Sequence, residues 1–429
     1  MHSQRDASPV TPEPGGELVL VWRHPQTGET RAQAATDEDL LALKIVMEEI
    51  NPGAVASTGK VPVGAVDAAV DRAVEKGILL QPRPRIRRDL ASFPVGKVTK
   101  DLFLSSPLFT LQWHITQACD LYCKHCYDRS DRSPLRLEQA LAILDDLRAF
   151  CRSQNVRGRV CFTGGNPLLY PHFVELYRAA AERGLSIAIL GNPSPQERIE
   201  ELLAVQRPTY FQVSLEGLPD HNDAIRGPGH FEKVIGFLRV LRDLRIYSMV
   251  MLTLTKDNID QILPLAEILR DRTDSFTFNR LSRVGEGARL QLPLPDAYTA
   301  FLEAYLKAVE KNPILALKDN LINILYHQKG VELFGGCTGF GCGAAFNFLA
   351  VLPDGEAHAC RKFPSYIGNV FERSLFEIYE SEMARRYRAG SEACRSCKIR
   401  PVCGGCLAVV HGLGLDVFKD RDPFCFIYT

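Results

Sequence analysis

The chain has 429 residues, 46% hydrophobic and 24% charged, with 51 Lys and Arg against 51 Asp and Glu. That length exceeds one compact core, so two or three domains are expected. Zero net charge gives no reason to expect nucleic acid or an anionic membrane as partner, no apolar run nears the roughly 18 residues that span a bilayer, and the start lacks a signal-peptide core. A cytoplasmic location is the expectation, and thirteen cysteines in a reducing compartment point to metal or cluster ligation rather than disulfides.

In chain order, residues 1–16 are rich in Pro, Gly and polar groups and read as a disordered tail. A strand-like run at 18–22, a turn at 25–28 and a short segment at 29–32 precede two amphipathic helices. The first is capped near Thr36 and Asp37 and carries Leu40, Leu41, Leu43, Ile45, Val46 and Met47. The second spans about 63–77 with Val66, Ala69, Val70 and Val74 at helical spacing. Strands and helices at this size suggest a small winged-helix-like module over 17–88. Residues 16–80 hold six Lys/Arg against ten Asp/Glu, a balance that phosphate would repel, so DNA is excluded as its ligand. The segment 81–88 reads as a stiff basic linker.

Over 105–311 strand and helix alternate. Strands are predicted at 109–116, 159–163, 186–190, 210–215, 247–255 and 275–280. Helices are predicted near 137–151, 173–183, 196–205, 231–244, 259–270 and 297–310. Six such units mean an α/β fold with a parallel sheet and helices outside, and periodicity leaves open sheet and barrel both standing. The first strand runs into Cys119-Asp120-Leu121-Tyr122-Cys123-Lys124-His125-Cys126. Three thiols at C-x3-C-x2-C spacing can each take one iron of a [4Fe–4S] cluster and leave the fourth iron open. Buried structural cysteines or a zinc site short of one ligand are the alternatives. After the second strand, Gly164 and Gly165 in Thr163-Gly164-Gly165-Asn166-Pro167 let a backbone approach a ligand closely.

Region 312–429 holds eight further cysteines: Cys337, Cys342, Cys360, Cys394, Cys397, Cys403, Cys406 and Cys425. The run from Cys394 to Cys406 alone could be a zinc knuckle. Eight thiolates, however, make two complete sets of four, the full ligand count of two [4Fe–4S] clusters; two zinc ions remain the alternative. Cys151 and Cys161 read as buried apolar residues.

The cysteine loop resembles that of the radical S-adenosylmethionine (radical SAM) enzymes, and the resemblance extends over roughly 105–429. It implies a partial (β/α)6 barrel with ligands at the C-terminal strand ends. It also implies that SAM chelates the open iron and is cleaved reductively to a 5′-deoxyadenosyl radical, which abstracts hydrogen from substrate. By the same resemblance Gly164, Gly165, Asn166 and Pro167 meet the SAM amino group, although the family usually has Glu where Asn166 stands. Ser214 and Glu216 would meet the ribose and polar groups of SAM, and Arg226 its carboxylate, which a guanidinium fork pairs bidentately. Asn192 stands where the family often has Asn-Gly and is equally a turn residue, and 279–287 is expected to be a bare loop, with contact to the adenosine of SAM as the alternative.

The C-terminal cysteines resemble the SPASM extension. That implies auxiliary cluster I on Cys337, Cys342, Cys360 and Cys406, and auxiliary cluster II on Cys394, Cys397, Cys403 and Cys425. The Cys403–Cys406 spacing is one residue shorter than the family's. Arg361 stands where sulfatase maturases carry a basic Asp, which disfavours formylglycine formation, since a guanidinium is no general base near neutral pH. The N-terminal order of elements resembles the recognition element to which a leader peptide adds a strand. The stretches 163–171, 344–348 and 358–369 are similar to selenobiotic-family peptide maturases. Together these imply a maturase of a ribosomally made precursor peptide, with thio(seleno)oxazole-type modification and an electron donor such as flavodoxin or ferredoxin. A sactipeptide-type thioether or other crosslink is the alternative on the same scaffold. A non-catalytic iron–sulfur electron carrier is a third reading, which leaves the Gly-Gly-Asn-Pro and Ser214/Arg226 segments without a task.

Overall fold

The computed structural model describes residues 18–24, 27–80, 82–91, 93 and 100–427; the expected tail at 1–16 lies outside them. The chain divides into two compact units between Pro82 and Arg83. In the first, strands β1 (Val19–Arg23) and β2 (Thr30–Ala34) pair antiparallel, and three helices follow at Asp37–Met47, Pro52–Gly59 and Val63–Glu75. Thr36 caps the first through a capping box with Asp39, as the sequence predicts. Ile45, Ala56 and Val66 form the small core of this unit, while Val46 and Met47 stay exposed. The middle helix was not expected. Its Gly, Ser and Thr content is poor for helix, and its signal is Asn51, whose side chain accepts from Gly53 N at 2.8 Å, followed by Pro52.

The second unit is built on one nine-stranded sheet. Strands β3 (Leu108–His114), β4 (Arg157–Thr163), β5 (Ser186–Leu190), β6 (Phe211–Ser214), β7 (Ser248–Leu254) and β8 (Ser275–Arg280) lie side by side and parallel. They match the six predicted strands within two residues at each end. Helices Leu137–Ser153, Phe173–Glu182, Gln196–Leu203, His230–Asp243, Ile262–Leu269 and Pro295–Val309 connect or cover them. Phe109, Trp113, Phe162, Phe173 and Tyr177 are fully buried between sheet and helices, where each such side chain contributes about 2–3 kcal/mol of transfer free energy. β3 and β4 run level, Leu108 opposite Arg157 and His114 opposite Thr163. The cysteine loop and the Gly164–Gly165 turn therefore leave the sheet at the same height.

On the far side of β3 the sheet continues with β9 (Phe348–Val351), parallel to it, and then β10 (Glu356–His358) and β11 (Tyr366–Asn369), each antiparallel to the strand before it. The order is β11-β10-β9-β3-β4-β5-β6-β7-β8, open from end to end, an α/β fold with a mixed sheet. The expected change of domain at 311/312 thus falls inside one compact unit, because a C-terminal strand completes the sheet. The expected linker at 81–88 also differs. Arg83 onward belongs to the larger unit, Ile86 is buried, and Arg88 donates to the carbonyls of Arg388, Phe340 and Cys342 at 2.9, 3.0 and 2.7 Å.

Candidate active site

A cavity of about 630 Å³ opens at the C-terminal ends of the parallel strands. Its wall includes Cys119, Cys123 and Cys126 from the loop after β3, Gly164 and Gly165 after β4, Asn192 after β5, Ser214 at the end of β6, and Arg226. All thirteen cysteines are free. The paired glycines serve the protein first. A Cβ on Gly164 would overlap Thr116 O, and one on Gly165 would overlap Ala118 O. Gly165 N donates to Thr116 O at 2.9 Å and Asn166 N to Ala118 O at 2.7 Å, so the turn clasps the root of the cysteine loop.

Asn166 is buried behind the wall rather than on it. Its side-chain carbonyl caps the next turn by accepting from Leu168 N at 3.3 Å, and its amide donates to Asp120 Oδ1 at 3.2 Å. Pro167 opens that turn. Asn192 donates to the same Asp120 oxygen at 2.6 Å and lies 3.7 Å from Cys119 Sγ. Asp120 is thus a hub the sequence reading missed. Its signal was a carboxylate beside the first cysteine with two asparagines at neighbouring strand ends.

Glu216 lies beneath the cavity, 2% exposed. Arg226 donates to its Oε1 from Nε at 2.9 Å and from Nη2 at 2.6 Å, His125 Nε2 is 3.2 Å from the same oxygen, and Thr253 N donates to Oε2 at 2.8 Å. Burial alone would raise the Glu216 carboxyl, but the nearby His125 and Arg226 hold it well below the usual carboxylate range. Arg226 in turn sets Nη1 3.7 Å from Cys123 Sγ, where its charge counters the rise in thiol pKa that burial imposes. It reaches there from the last turn of a helix, Pro219–Arg226, that was not among the predicted elements. Polar residues hid that helix; Pro219 at its first position was the signal. His125 Nδ1 is buried and has no hydrogen-bond partner among the described residues.

The segment 279–287 is not a bare loop. Asn279 to Ser282 line the cavity, and Glu286 N donates to Cys126 O at 2.8 Å. Behind the loop, His114 Nε2 and Tyr127 OH are 2.6 Å apart, with burial pushing His114 down to about 3, Arg361 adding to it, and Tyr127 up. Arg361 reaches the opposite wall and donates to Thr163 Oγ1 at 3.2 Å.

The eight C-terminal cysteines gather in two groups. Cys337, Cys342, Cys360 and Cys406 surround one pocket; Cys394, Cys397, Cys403 and Cys425 surround another. Between them, Gly404 and Gly405 are both left-handed, at φ +66° and +63°, a turn that glycine takes without strain. It sends Cys403 and Cys406 to different pockets despite the short spacing. Among the described residues no three His, Cys, Asp or Glu groups converge tightly enough for a single ion. A tetrahedral zinc, with Zn–S about 2.3 Å, would draw its sulfurs to about 3.8 Å of one another. Four thiols around each pocket are the full ligand count of a [4Fe–4S] cluster. Burial pushes Cys342 up to about 12 and Cys360 and Cys394 to about 11, a rise that a bound metal's charge would reverse. Arg280 at the end of β8 donates to both oxygens of Asp422, at 2.9 and 2.7 Å, and Asp422 accepts from Cys406 N at 2.9 Å.

Three strand-end thiols on the wall of one cavity, with two four-cysteine pockets besides, are the arrangement of an iron–sulfur enzyme. Comparison with known proteins agrees. The Radical SAM superfamily pattern matches residues 113–269, and that of SPASM, an iron-sulfur cluster-binding domain, matches residues 342–399. The chain is 26% identical over 342 residues to the AdoMet-dependent heme synthase of Methanosarcina barkeri, covering 73% of this chain and 95% of that one. It is 28% identical over 367 residues to the mycofactocin maturase MftC of Mycolicibacterium smegmatis, covering 81% and 87%. In fold it is similar to Streptococcus suis SuiB bound to S-adenosylmethionine, with TM-score 0.61 and 17% identity over 95% of this chain and 96% of that one. SuiB bound to precursor peptide SuiA gives 0.60 and 16% over 95% and 98%. The chain belongs to the radical SAM enzymes that carry a SPASM domain, whose cofactors are SAM, a SAM-binding [4Fe–4S] cluster and auxiliary clusters.

Proposed function

We propose that this enzyme oxidatively modifies a ribosomally synthesised precursor peptide, with Cys119, Cys123 and Cys126 holding the SAM-binding cluster and the two four-cysteine sets holding auxiliary clusters I and II as grouped above. When bound, the clusters and SAM supply one-electron, hydrogen-abstracting chemistry. The chain's own residues supply placement. Asp120 and Asn192 steady Cys119, the Glu216–Arg226–His125 group steadies Cys123, and the segment after β8 braces Cys126. Ser214 faces the cavity where a ribose would lie.

The observation that carries the peptide reading is the single cavity running from the three-cysteine loop to Arg361 and Lys362, beside the first four-cysteine pocket. A side chain entering it stands between two redox centres. The β1–β2 hairpin adds support, since Val19 and Val21 are exposed and a two-stranded sheet leaves edges on which a leader can add a strand. MftC, by its name, is a maturase, and SuiB has been captured with its precursor peptide. We take the product to be a thio(seleno)oxazole-type group at Cys or Sec, the electron donor to be a flavodoxin or ferredoxin, and the location to be the cytoplasm. Among the described residues no helix is long and apolar enough to cross a membrane.

The test is anaerobic incubation of the holoenzyme with SAM, a reductant and the product of a neighbouring small open reading frame. A mass loss on the peptide matched by 5′-deoxyadenosine is expected. Turnover of a tetrapyrrole with the peptide untouched would overturn the reading, as the likeness to a heme synthase makes that the control to run. Deleting residues 1–82 should abolish leader binding while SAM cleavage persists. The cut belongs at 82 because Ile86 and Arg88 are built into the larger unit.

A further inference from the structure

Arg361 and Lys362 directly follow Cys360, and both reach the cavity wall. The Arg361 guanidinium donates to Thr163 Oγ1 at 3.2 Å and stands 6.0 Å from the centre of the Tyr127 ring. Lys362 borders both the cavity and the pocket of Cys337, Cys342, Cys360 and Cys406. Lys318, its Nζ 3.0 Å from Asn279 Oδ1, borders that pocket too. Among the described residues, none of these three cations meets a carboxylate at ion-pair distance.

Of the other charged side chains on the wall, Arg226, Arg280 and Asp128 are matched by opposite charge. Arg226 has Glu216, Arg280 has Asp319 and Asp422, and Asp128 has Arg132. Arg129 stacks on Tyr122 and donates to Cys123 O at 3.2 Å. Largely buried cations without counter-charge are costly, so anions complete the set in the working protein. Four thiolates in the adjoining pocket serve Lys318 and one side of Lys362. Arg361 has the Cys360 thiol beside it on that side, but its guanidinium borders the cavity and not that pocket. Its planar fork matches a carboxylate with two parallel hydrogen bonds.

We propose that Arg361, assisted by Lys362, is a carboxylate-binding subsite of the substrate cavity, so that the residue presented for modification carries or adjoins a carboxylate. This rests on the reading of the substrate as a peptide and narrows it to peptides in which an acidic side chain, or a free chain terminus, adjoins the reacting Cys or Sec.

The test is calorimetric titration of anaerobic, iron-loaded holoenzyme saturated with SAM. Three probes separate the sources: N-acetylglutamate α-amide has a side-chain carboxylate, N-acetylglutamine a terminal one, and N-acetylglutamine amide none. At least one carboxylate probe should bind about tenfold tighter than the neutral one, the worth of a charge-assisted pair, and the preference should shrink as salt rises. Arg361→Gln should reduce it to less than about twofold, while Arg361→Lys, which keeps the charge and loses the fork, should retain part of it. Equal binding of all three probes overturns the proposal. So does a preference that survives Arg361→Gln, or one that vanishes once SAM is present, since the subsite would then be SAM's own. An enzyme that modifies a peptide without this preference loses the inference alone. One that shows the preference and modifies no peptide loses the peptide reading alone.

Discussion

Asp422 offers a sharp test of how the auxiliary segment is tied to the sheet. It is 3% exposed and every lone-pair direction meets a donor. Oδ1 accepts from Arg280 Nη1 at 2.9 Å and Phe424 N at 3.0 Å; Oδ2 accepts from Arg280 Nη2 at 2.7 Å and Cys406 N at 2.9 Å. Asp422→Asn changes no volume, yet whichever way the amide turns, its NH2 faces two N–H donors. Arg280, fully buried, keeps only Asp319, at 2.9 Å. Breaking a buried pair from one side costs about 3–5 kcal/mol. With about 2.1 cal/mol/K of unfolding entropy per residue over the larger unit, the melting temperature falls by roughly 4–7 °C. Differential scanning fluorimetry on anaerobic holoenzyme measures this, with iron content expected to drop as Cys406 loses its anchor. Asp416→Asn, at an exposed turn, is the control and should shift the midpoint by less than about 1 °C. A comparably small shift for Asp422→Asn would refute the assignment of this pair as the clamp.

Replacing Cys119, Cys123 and Cys126 together with Ala should lower iron from about twelve to about eight atoms per chain, measured by metal analysis; a full complement would mean that these thiols hold no cluster. Gly165→Ala forces a Cβ into Ala118 O, so it should displace the cysteine loop and cost about 1–3 kcal/mol, read as lost iron and a lower melting point. Gly236→Ala, mid-helix with nothing within 4 Å of the new Cβ, should instead stabilise by about 0.4–1 kcal/mol. His114, held near 3 by burial and by Arg361, is neutral when folded, against an ordinary value of about 6.5. Its contribution is complete above pH about 6.5 and is lost at about 1.4 kcal/mol per pH unit as the pH falls toward 3. His114→Gln should therefore flatten the decline in melting temperature between about pH 6.5 and 4.5, and an unchanged slope would count against a buried neutral imidazole.

Much of this was legible in the sequence because its signals are local. Six apolar runs with helical spacers gave the parallel strands, and cysteine spacing marked the loop that the β3–β4 alignment then levels with the glycine turn. The assignment of the eight C-terminal thiols to two clusters came from a family resemblance, since no local pattern links such distant residues; in the structure four line each of two pockets. The shortened spacing at Cys403–Cys406 is explained only by two consecutive left-handed glycines. What stayed hidden depends on contacts between remote segments. Asp120 is an ordinary loop acid until Asn166 and Asn192 converge on it. The helix ending at Arg226 is too polar to display an apolar stripe, and the basic string at 83–88 reads as solvated until Arg88 finds carbonyls some 250 to 300 residues away. β9 was missed for the same reason: four residues cannot announce a partner far upstream.

That last pairing reaches back to how the molecule is made. β3, the strand that launches the cysteine loop, gets its outer neighbour only when β9 emerges, roughly 230 residues after β3 itself. At about 5–20 residues per second a ribosome takes roughly 12–46 s to deliver it. Through that interval one flank of β3 stays unpaired and open to wrong partners, so chaperone cover during synthesis, and iron loading after release, are the order that this topology favours.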